Sequence, residues 1–65
     1  MSIIPRIEAI NLIAKYSGLP EKADEAGDYY AFAGAWEFLF PDEYWMRTEM
    51  ASGVRYGLIA PNLAD

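Results

Sequence analysis

The sequence predicts a small all-α protein with one domain, residues 1–65. It would contain three helices, or four if a short acidic turn is helical, with an apolar C-terminal tail packed across them. Three observations predict this class. Helix start and stop residues bound an apolar segment near the N-terminus. A second apolar segment, Tyr29–Phe40, has twelve residues with Glu37 as its one charge, and it is longer than most strands. Pro41 and Gly53 then bracket a third segment with helical spacing.

The first helix is predicted from the segment SIIPRIEAINLIAKYSGLP. Ser2 can cap its start, and Pro5 suits the first turn because an N–H is not needed there. Gly18 suits the left-handed C′ position that ends many helices. Apolar residues cover more of the helical circumference than the single stripe of a surface helix. We therefore expect this helix to contact two neighbours, one of which could belong to another chain.

The polar interval PEKADEAGD, residues 20–28, allows two interpretations. It can be a short helical turn begun by Pro20, with acidic side chains near the positive end of the helix dipole. It can equally be a flexible acidic connection. Both alternatives stay open on sequence grounds.

The ring-dense segment YYAFAGAWEFLF allows two periods. Aromatic residues at most even positions would suit a strand. Its length, its three alanines and the preceding Asp28, a good N-cap residue, favour a helix. We therefore predict a helix here. Ala31, Gly34 and Ala35 would then form a flat flank that another helix can approach closely.

The third helix is predicted for DEYWMRTEMAS, between Pro41 and Gly53. Acidic residues follow Pro41, where the dipole of a helix favours anions. Glu43 and Arg47 stand four residues apart in the order that suits a helical ion pair.

The same helix would place Met46 and Met50 on one ridge, with Trp45 beside it. The tail VRYGLIAPNLAD is either a short extended segment or a further half-helix. Its apolar residues predict that it packs across the helices as far as Pro61.

The composition argues against several kinds of chemistry. The chain has no cysteine and no histidine, which removes disulfides, the commonest zinc ligands and the usual base near neutral pH. The acidic stretch EKADEAGD lacks the ligand spacing of a calcium loop, and no glycine-rich phosphate-binding loop is present. We therefore predict no catalytic residues, no metal site and no cofactor, and a protein that is not an enzyme.

The charge is negative and unevenly distributed. The net charge is −5, and residues 21–49 hold eight acidic side chains against two basic ones, a local sum of −6. Direct binding to nucleic acid or to an anionic membrane is therefore not expected, because both need clustered lysine and arginine. No segment has the length of a bilayer span or the pattern of a secretory signal. A cytoplasmic protein is the expectation.

The middle of the chain predicts protein binding. Eight of the ten aromatic residues lie in residues 29–45. These rings can form a purely intramolecular core, or several of them can be buried by another chain, which is the alternative favoured here. Tyrosine, tryptophan and methionine are enriched at the centres of interfaces. We predict an aromatic ridge with an acidic rim, docked on a protein with a basic or apolar groove. The predicted partner-binding residues are Tyr29, Tyr30, Phe38, Tyr44, Trp45, Met46, Glu37, Asp42, Glu43 and Glu49.

These observations favour a small, acidic, non-catalytic interaction module, an inhibitor or adaptor of the kind that phages and other mobile elements encode. Two alternatives stay open. The chain could be a self-assembling homodimeric structural protein, its partner being a second copy. It could also mimic nucleic acid and inhibit a DNA- or RNA-handling enzyme, in which case binding would weaken steeply with salt.

Overall fold

The computed structural model describes residues 5–60, and it is mixed α/β. Three helices are followed by an antiparallel hairpin of two strands. The elements are α1 (Arg6–Lys15), α2 (Pro20–Glu25), α3 (Tyr29–Leu39), β1 (Tyr44–Met50) and β2 (Gly53–Ile59). The prediction of an all-α fold is therefore wrong, because the third predicted helix is a strand that pairs with the tail.

Helix α1 confirms the first predicted helix over most of its length. The proposed capping residue Ser2 lies outside the described residues, and Pro5 directly precedes the helix. The C-terminal end differs by one residue from the prediction. Ser17 takes the left-handed C′ position with φ 56°, and Gly18 follows with φ 71°. The Gly18 N–H donates to the Ile13 carbonyl at 2.9 Å, which completes a Schellman motif.

Helix α2 confirms the helical interpretation of the acidic interval. Pro20 occupies its first position, where proline is favoured. Gly27, with φ 78°, follows the helix, and the Asp28 N–H donates to the Ala23 carbonyl at 2.7 Å. This closure reverses the chain so that α3 starts at the next residue, Tyr29.

Helix α3 confirms that the ring-dense segment is helical, and it supplies the centre of the core. Phe32 is fully buried. The ring of Tyr16, which follows α1, meets Phe32 edge-on with centroids 6.5 Å apart, and Trp36 stacks on Phe32 at 6.0 Å. The Asp28 carboxylate does not cap α3. It accepts a hydrogen bond from the Tyr16 hydroxyl at 2.5 Å, which ties the end of α1 to the start of α3.

Helix α1 packs against α3. Each helix buries one alanine completely, Ala9 in α1 and Ala35 in α3. Of the predicted flat flank, Ala35 is thus covered within this chain, whereas Ala31 and Gly34 stay exposed. Because alanine has a short side chain, its burial is consistent with close approach of helical backbones.

The β hairpin overturns the predicted third helix. Seven residues of β1 pair with seven of β2, from Tyr44 opposite Ile59 to Met50 opposite Gly53. Gly53 has φ 128°, a conformation that side chains rarely adopt. Gly53, predicted as the end of a helix, is instead the first residue of β2. The extended alternative for the tail is confirmed for Val54–Ile59, and Pro61 lies outside the described residues.

The ion pair predicted between Glu43 and Arg47 is also corrected. Residues four apart are neighbours on a helix, but in a strand they are separated by about 13 Å at ~3.3 Å per residue. Arg47 instead binds Asp24 of α2 and Glu49 of its own strand.

Candidate functional site

The hairpin has two faces of different character. Directly opposed residues of an antiparallel pair lie on the same face, and side chains alternate along each strand. Trp45 and Arg47 contact the helices, so their face is called the inner face. It contains Trp45, Arg47, Glu49, Val54, Tyr56 and Leu58. The opposite face, called the outer face, contains Tyr44, Met46, Thr48, Met50, Gly53, Arg55, Gly57 and Ile59.

Aromatic contacts hold the inner face to α3. The rings of Trp45 and Trp36 meet edge-on with centroids 5.6 Å apart, and those of Tyr56 and Tyr29 lie 5.6 Å apart. Within residues 5–60, three buried side-chain polar atoms lack a hydrogen-bond partner, and all three belong to residues of this contact: Tyr29 Oη, Trp36 Nε1 and Trp45 Nε1. An unpaired buried donor costs about 1–3 kcal/mol, so this contact is less stabilising than its ring area suggests.

A polar cluster joins the inner face to α2. Arg47 Nε donates to Asp24 Oδ2 at 2.8 Å, and the Tyr56 hydroxyl donates to the same carboxylate oxygen. Arg47 Nη1 also donates to Glu49 Oε2 at 2.6 Å. Arg47 and Tyr56 are directly opposed in the hairpin, so both strands are fixed to one carboxylate of α2.

The cluster shifts the ionisation of its members. The hydrogen bond from Tyr56, followed by that from Arg47, lowers the pKa of Asp24 below its ordinary value. The same bond to the Asp24 carboxylate, with burial, raises the pKa of Tyr56. The pKa of Arg47 is raised, first by Asp24 and then by Glu49. The pKa shifts favour the charged forms of Asp24 and Arg47 and the neutral form of Tyr56. Hydrogen bonds that hold the hairpin to α2 account for them, so they indicate a structural role.

The outer face is apolar and largely uncovered. Met46 and Met50 are 46% and 51% exposed, and each lies opposite a glycine, so no directly opposed side chain covers it. Tyr44 and Ile59 form a half-buried pair at the end near α3. The outer face of such a sheet is ordinarily polar. Here the polar residues are limited to one cross-strand pair, Thr48 and Arg55.

The ten predicted binding residues do not form one ridge. Tyr44 and Met46 lie on the outer face. Tyr29 is buried, and Trp45 lies on the inner face against α3. Glu49 is also on the inner face, where it is paired with Arg47.

The remaining predicted residues lie on α3 or in the turn after it. Tyr30, 80% exposed, and Phe38, 42% exposed, lie with the exposed Glu37 on the side of α3 that faces away from the core. Asp42 and Glu43 lie in the turn that leads into β1. This turn therefore places two carboxylates directly before Tyr44 along the chain.

Met50 and Ile59 join the candidate surface although the sequence analysis did not include them among the binding residues. Met50 follows Met46 by four residues, and residues four apart share a face in a strand as they do in a helix. This spacing was a usable signal for Met50. Ile59 carried no such signal, because its position depends on pairing across the hairpin.

The described residues contain no group of three or more acidic side chains arranged to hold a metal ion. No pocket opens on the surface that residues 5–60 form. None of the helices in this part of the chain is long and apolar enough to cross a bilayer. The outer face is thus the candidate site that the geometry supports best.

Comparison of the chain with protein-family models, with curated proteins and with solved structures found no match.

Proposed function

We propose that this chain is a small non-catalytic protein-interaction module, an inhibitor or adaptor, and that it binds its partner protein through the outer face of the hairpin. One observation carries the proposal: an exposed sheet face that is apolar where polar residues are expected. Met46 and Met50 supply its exposed apolar surface on either side of the Thr48–Arg55 pair, and Tyr44 and Ile59 extend it towards α3.

The energetic case rests on the methionines. Full burial of a methionine side chain contributes about 1.5–3 kcal/mol, and Met46 and Met50 keep about half of their surface exposed. Covering both would contribute about 1.5–3 kcal/mol in total. Methionine is unbranched and adapts to irregular surfaces, which suits a contact that forms around a partner side chain.

The charge distribution supports a basic partner. The net charge is −5, and Asp42 and Glu43 border the Tyr44 end of the outer face. Carboxylates at the rim would steer a basic surface towards the site and raise the association rate. Arg55, on the outer face, is the exception.

Because the chain contains no cysteine and depends on no disulfide, the cytoplasm suits this function.

The test is affinity capture from the native host, followed by titration of each captured protein. Wild-type chain, a Met46→Gln/Met50→Gln variant and an Ile7→Gln variant serve as baits. Ile7 is the matched control, since it is an apolar side chain of α1 that is 62% exposed. We expect to capture a protein that binds the wild type and Ile7→Gln with equal affinity. Its affinity for the double variant should be lower by about tenfold or more.

Circular dichroism must show the same helix and strand content for all three baits. The binding should weaken only slightly as salt is raised, because apolar burial holds the complex and charge acts mainly on the association rate; a steep loss with salt would instead favour nucleic-acid mimicry. Equal capture by wild type and the double variant would overturn the proposal. So would the absence of any protein that prefers wild type.

A further inference from the structure

We propose that the open edge of β2 pairs with β2 of a second copy of this chain, antiparallel and centred on Tyr56, to form a four-stranded sheet. This inference goes beyond the proposed function, because it concerns the edge of the hairpin and not its outer face. Among the described residues, the sheet has two strands only, so no strand lies beside β2 on the side away from β1.

The exposure of two inner-face residues points to this edge. Val54 and Leu58 lie on the face that the helices cover, yet they remain 41% and 47% exposed. Tyr56, between them, is half-buried against Tyr29. The helices therefore reach only the middle of β2, and apolar surface is left on both sides of Tyr56.

The backbone of β2 is available for pairing at these same residues. The hairpin loop has two residues, and Met50 opposite Gly53 closes it, which makes that pair hydrogen-bonded in a turn of this kind. Hydrogen-bonded and non-bonded pairs alternate along an antiparallel ladder. Val54, Tyr56 and Leu58 consequently direct their N–H and C=O groups away from β1.

The edge lacks the features that usually prevent strand addition. Natural edges carry lysine, proline or inward-pointing charge, or they are covered by a helix or loop. Strand β2 reads GVRYGLI, with Arg55 as its one charge. A seven-residue open edge with three aliphatic side chains, one tyrosine and a single charge is a template for another strand.

The register fits a second copy. Tyr56 is the central residue of β2, so full antiparallel overlap places it opposite Tyr56 of the second copy. Val54 then lies opposite Leu58 of the second copy, and Leu58 opposite its Val54. Each exposed apolar side chain gains an apolar neighbour, and such cross-strand pairs contribute about 0.2–1 kcal/mol each. Arg55 lies opposite Gly57 of the second copy, so no like charges are directly opposed.

The β1 edge fits a second copy less well. Helix α3 packs against β1, and full overlap of β1 with itself would place Arg47 opposite Arg47 of the second copy. Like charges directly opposed in a sheet are destabilising. Pairing through β2 also closes after two copies, because a two-fold axis uses the same strand of each.

The four-stranded sheet has a defined geometry. Residues opposed across the axis share a face, so the outer faces of both copies lie on the same side and present Met46 and Met50 twice. A strand pair buries less than the ~800 Å² per partner of a standard interface. Each copy also carries a net charge of −5. We therefore expect a dimer that dissociates on dilution and strengthens as salt screens the repulsion.

The first test is sedimentation equilibrium of the full-length chain from about 1 μM to 1 mM at low and high salt. We expect a monomer–dimer equilibrium that shifts towards dimer at high salt. A Val54→Lys/Leu58→Lys variant should be monomeric, because charged residues at an edge oppose strand addition. The matched control, Met46→Lys/Met50→Lys, changes the charge equally on the outer face and should dimerise as wild type does.

The second test locates the interface without a substitution. Amide hydrogen exchange is measured on wild-type chain at concentrations that favour monomer and dimer. Exchange at Val54, Tyr56 and Leu58 should slow about tenfold or more in the dimer, while exchange at Arg55 and Gly57, already bonded to β1, should change less. A chain that is monomeric throughout, a dimer without this protection, or a dimer that survives the β2 variant would each overturn the inference.

The two proposals fail independently. Loss of dimerisation with partner binding intact would overturn edge pairing alone. Loss of the outer-face effect with the dimer intact would overturn the proposed function alone.

Discussion

At the scale of single residues, Asp24 shows how an ordinary acidic side chain acquires a structural role. It lies in an acidic stretch that the sequence describes only as charged. The fold directs Arg47 and Tyr56, 23 and 32 residues away along the chain, to its carboxylate. No spacing rule of a helix or a strand connects residues so far apart, so these partners could not be predicted from the sequence.

The pKa of Asp24 predicts loss of stability in acid. Because this pKa is lowered in the folded chain, the stabilisation is present above the unfolded pKa of about 4 and is lost as pH falls through the folded pKa. Asp24→Asn should lower the melting temperature at pH 7 and reduce its fall as the pH drops below about 4. Thermal melts followed by circular dichroism measure both effects.

The control for this prediction is Glu25→Gln. It removes the same charge from the next position of α2, where the side chain is exposed. Its melting temperature should remain close to that of the wild type across the same pH range. If the two variants lose equal stability at pH 7, the anchoring role of Asp24 is refuted.

At the scale of elements, local signals worked for helices and failed for the hairpin. The proline near its start and the glycine near its end located α1, and alanine content with length located α3. Strand β1 is locally ambiguous, because Met46, Glu49 and Met50 are good helix formers. Pro41 and Gly53 fit a helix start and stop as readily as they fit a turn and a hairpin. Pairing with β2 decided the outcome.

Two glycines should respond in opposite directions to replacement by alanine. Gly34 lies inside α3, is exposed, and has nothing within 4 Å of an added Cβ. Gly34→Ala should therefore raise the free energy of unfolding by about 0.8–1 kcal/mol.

Gly53 also has open space, but its φ of 128° disfavours any side chain. Gly53→Ala should lower the free energy of unfolding by about 1–3 kcal/mol.

Urea denaturation of both variants beside wild type measures these changes. Each glycine is the control for the other, because the same methyl group is added in open space and only the backbone conformation differs. A loss of stability in Gly34→Ala, or a gain in Gly53→Ala, would contradict the assigned backbone at that position.

At the scale of the whole molecule, the core is small and is centred on Phe32. Phe32 is the large residue that is fully buried among those described, and it contacts Tyr16 and Trp36. Much of the remaining apolar surface is exposed, including that of Ile7, Tyr30 and Met50. A chain of 65 residues has a small margin of stability, so loss of a single core contact has large consequences.

Phe32→Ala should unfold the protein. Replacing a buried phenylalanine by alanine costs about 3–5 kcal/mol, and a core of this size rarely supplies more than about 3–5 kcal/mol of net stability. Phe38→Ala is the matched control, since Phe38 lies in the same helix and is 42% exposed.

Circular dichroism at 25 °C should show lost helix signal for Phe32→Ala and a native spectrum for Phe38→Ala. A cooperative melt for Phe32→Ala near the wild-type temperature would mean that the core does not depend on this ring.

The sequence by itself determined what is local or compositional. It established the net negative charge, the absence of cysteine and histidine, and the concentration of rings in residues 29–45. It also located α1 and α3, because their signals lie within a few residues of each helix.

Only the tertiary structure decided which of the large apolar side chains face inward and which remain exposed. Tyr29 and Trp45 pack between α3 and the hairpin, whereas Met46 and Met50 stay on the outer face. The physical reason is that strand pairing sets these faces. A strand has no hydrogen-bond partners of its own, so its conformation depends on residues that are distant along the chain.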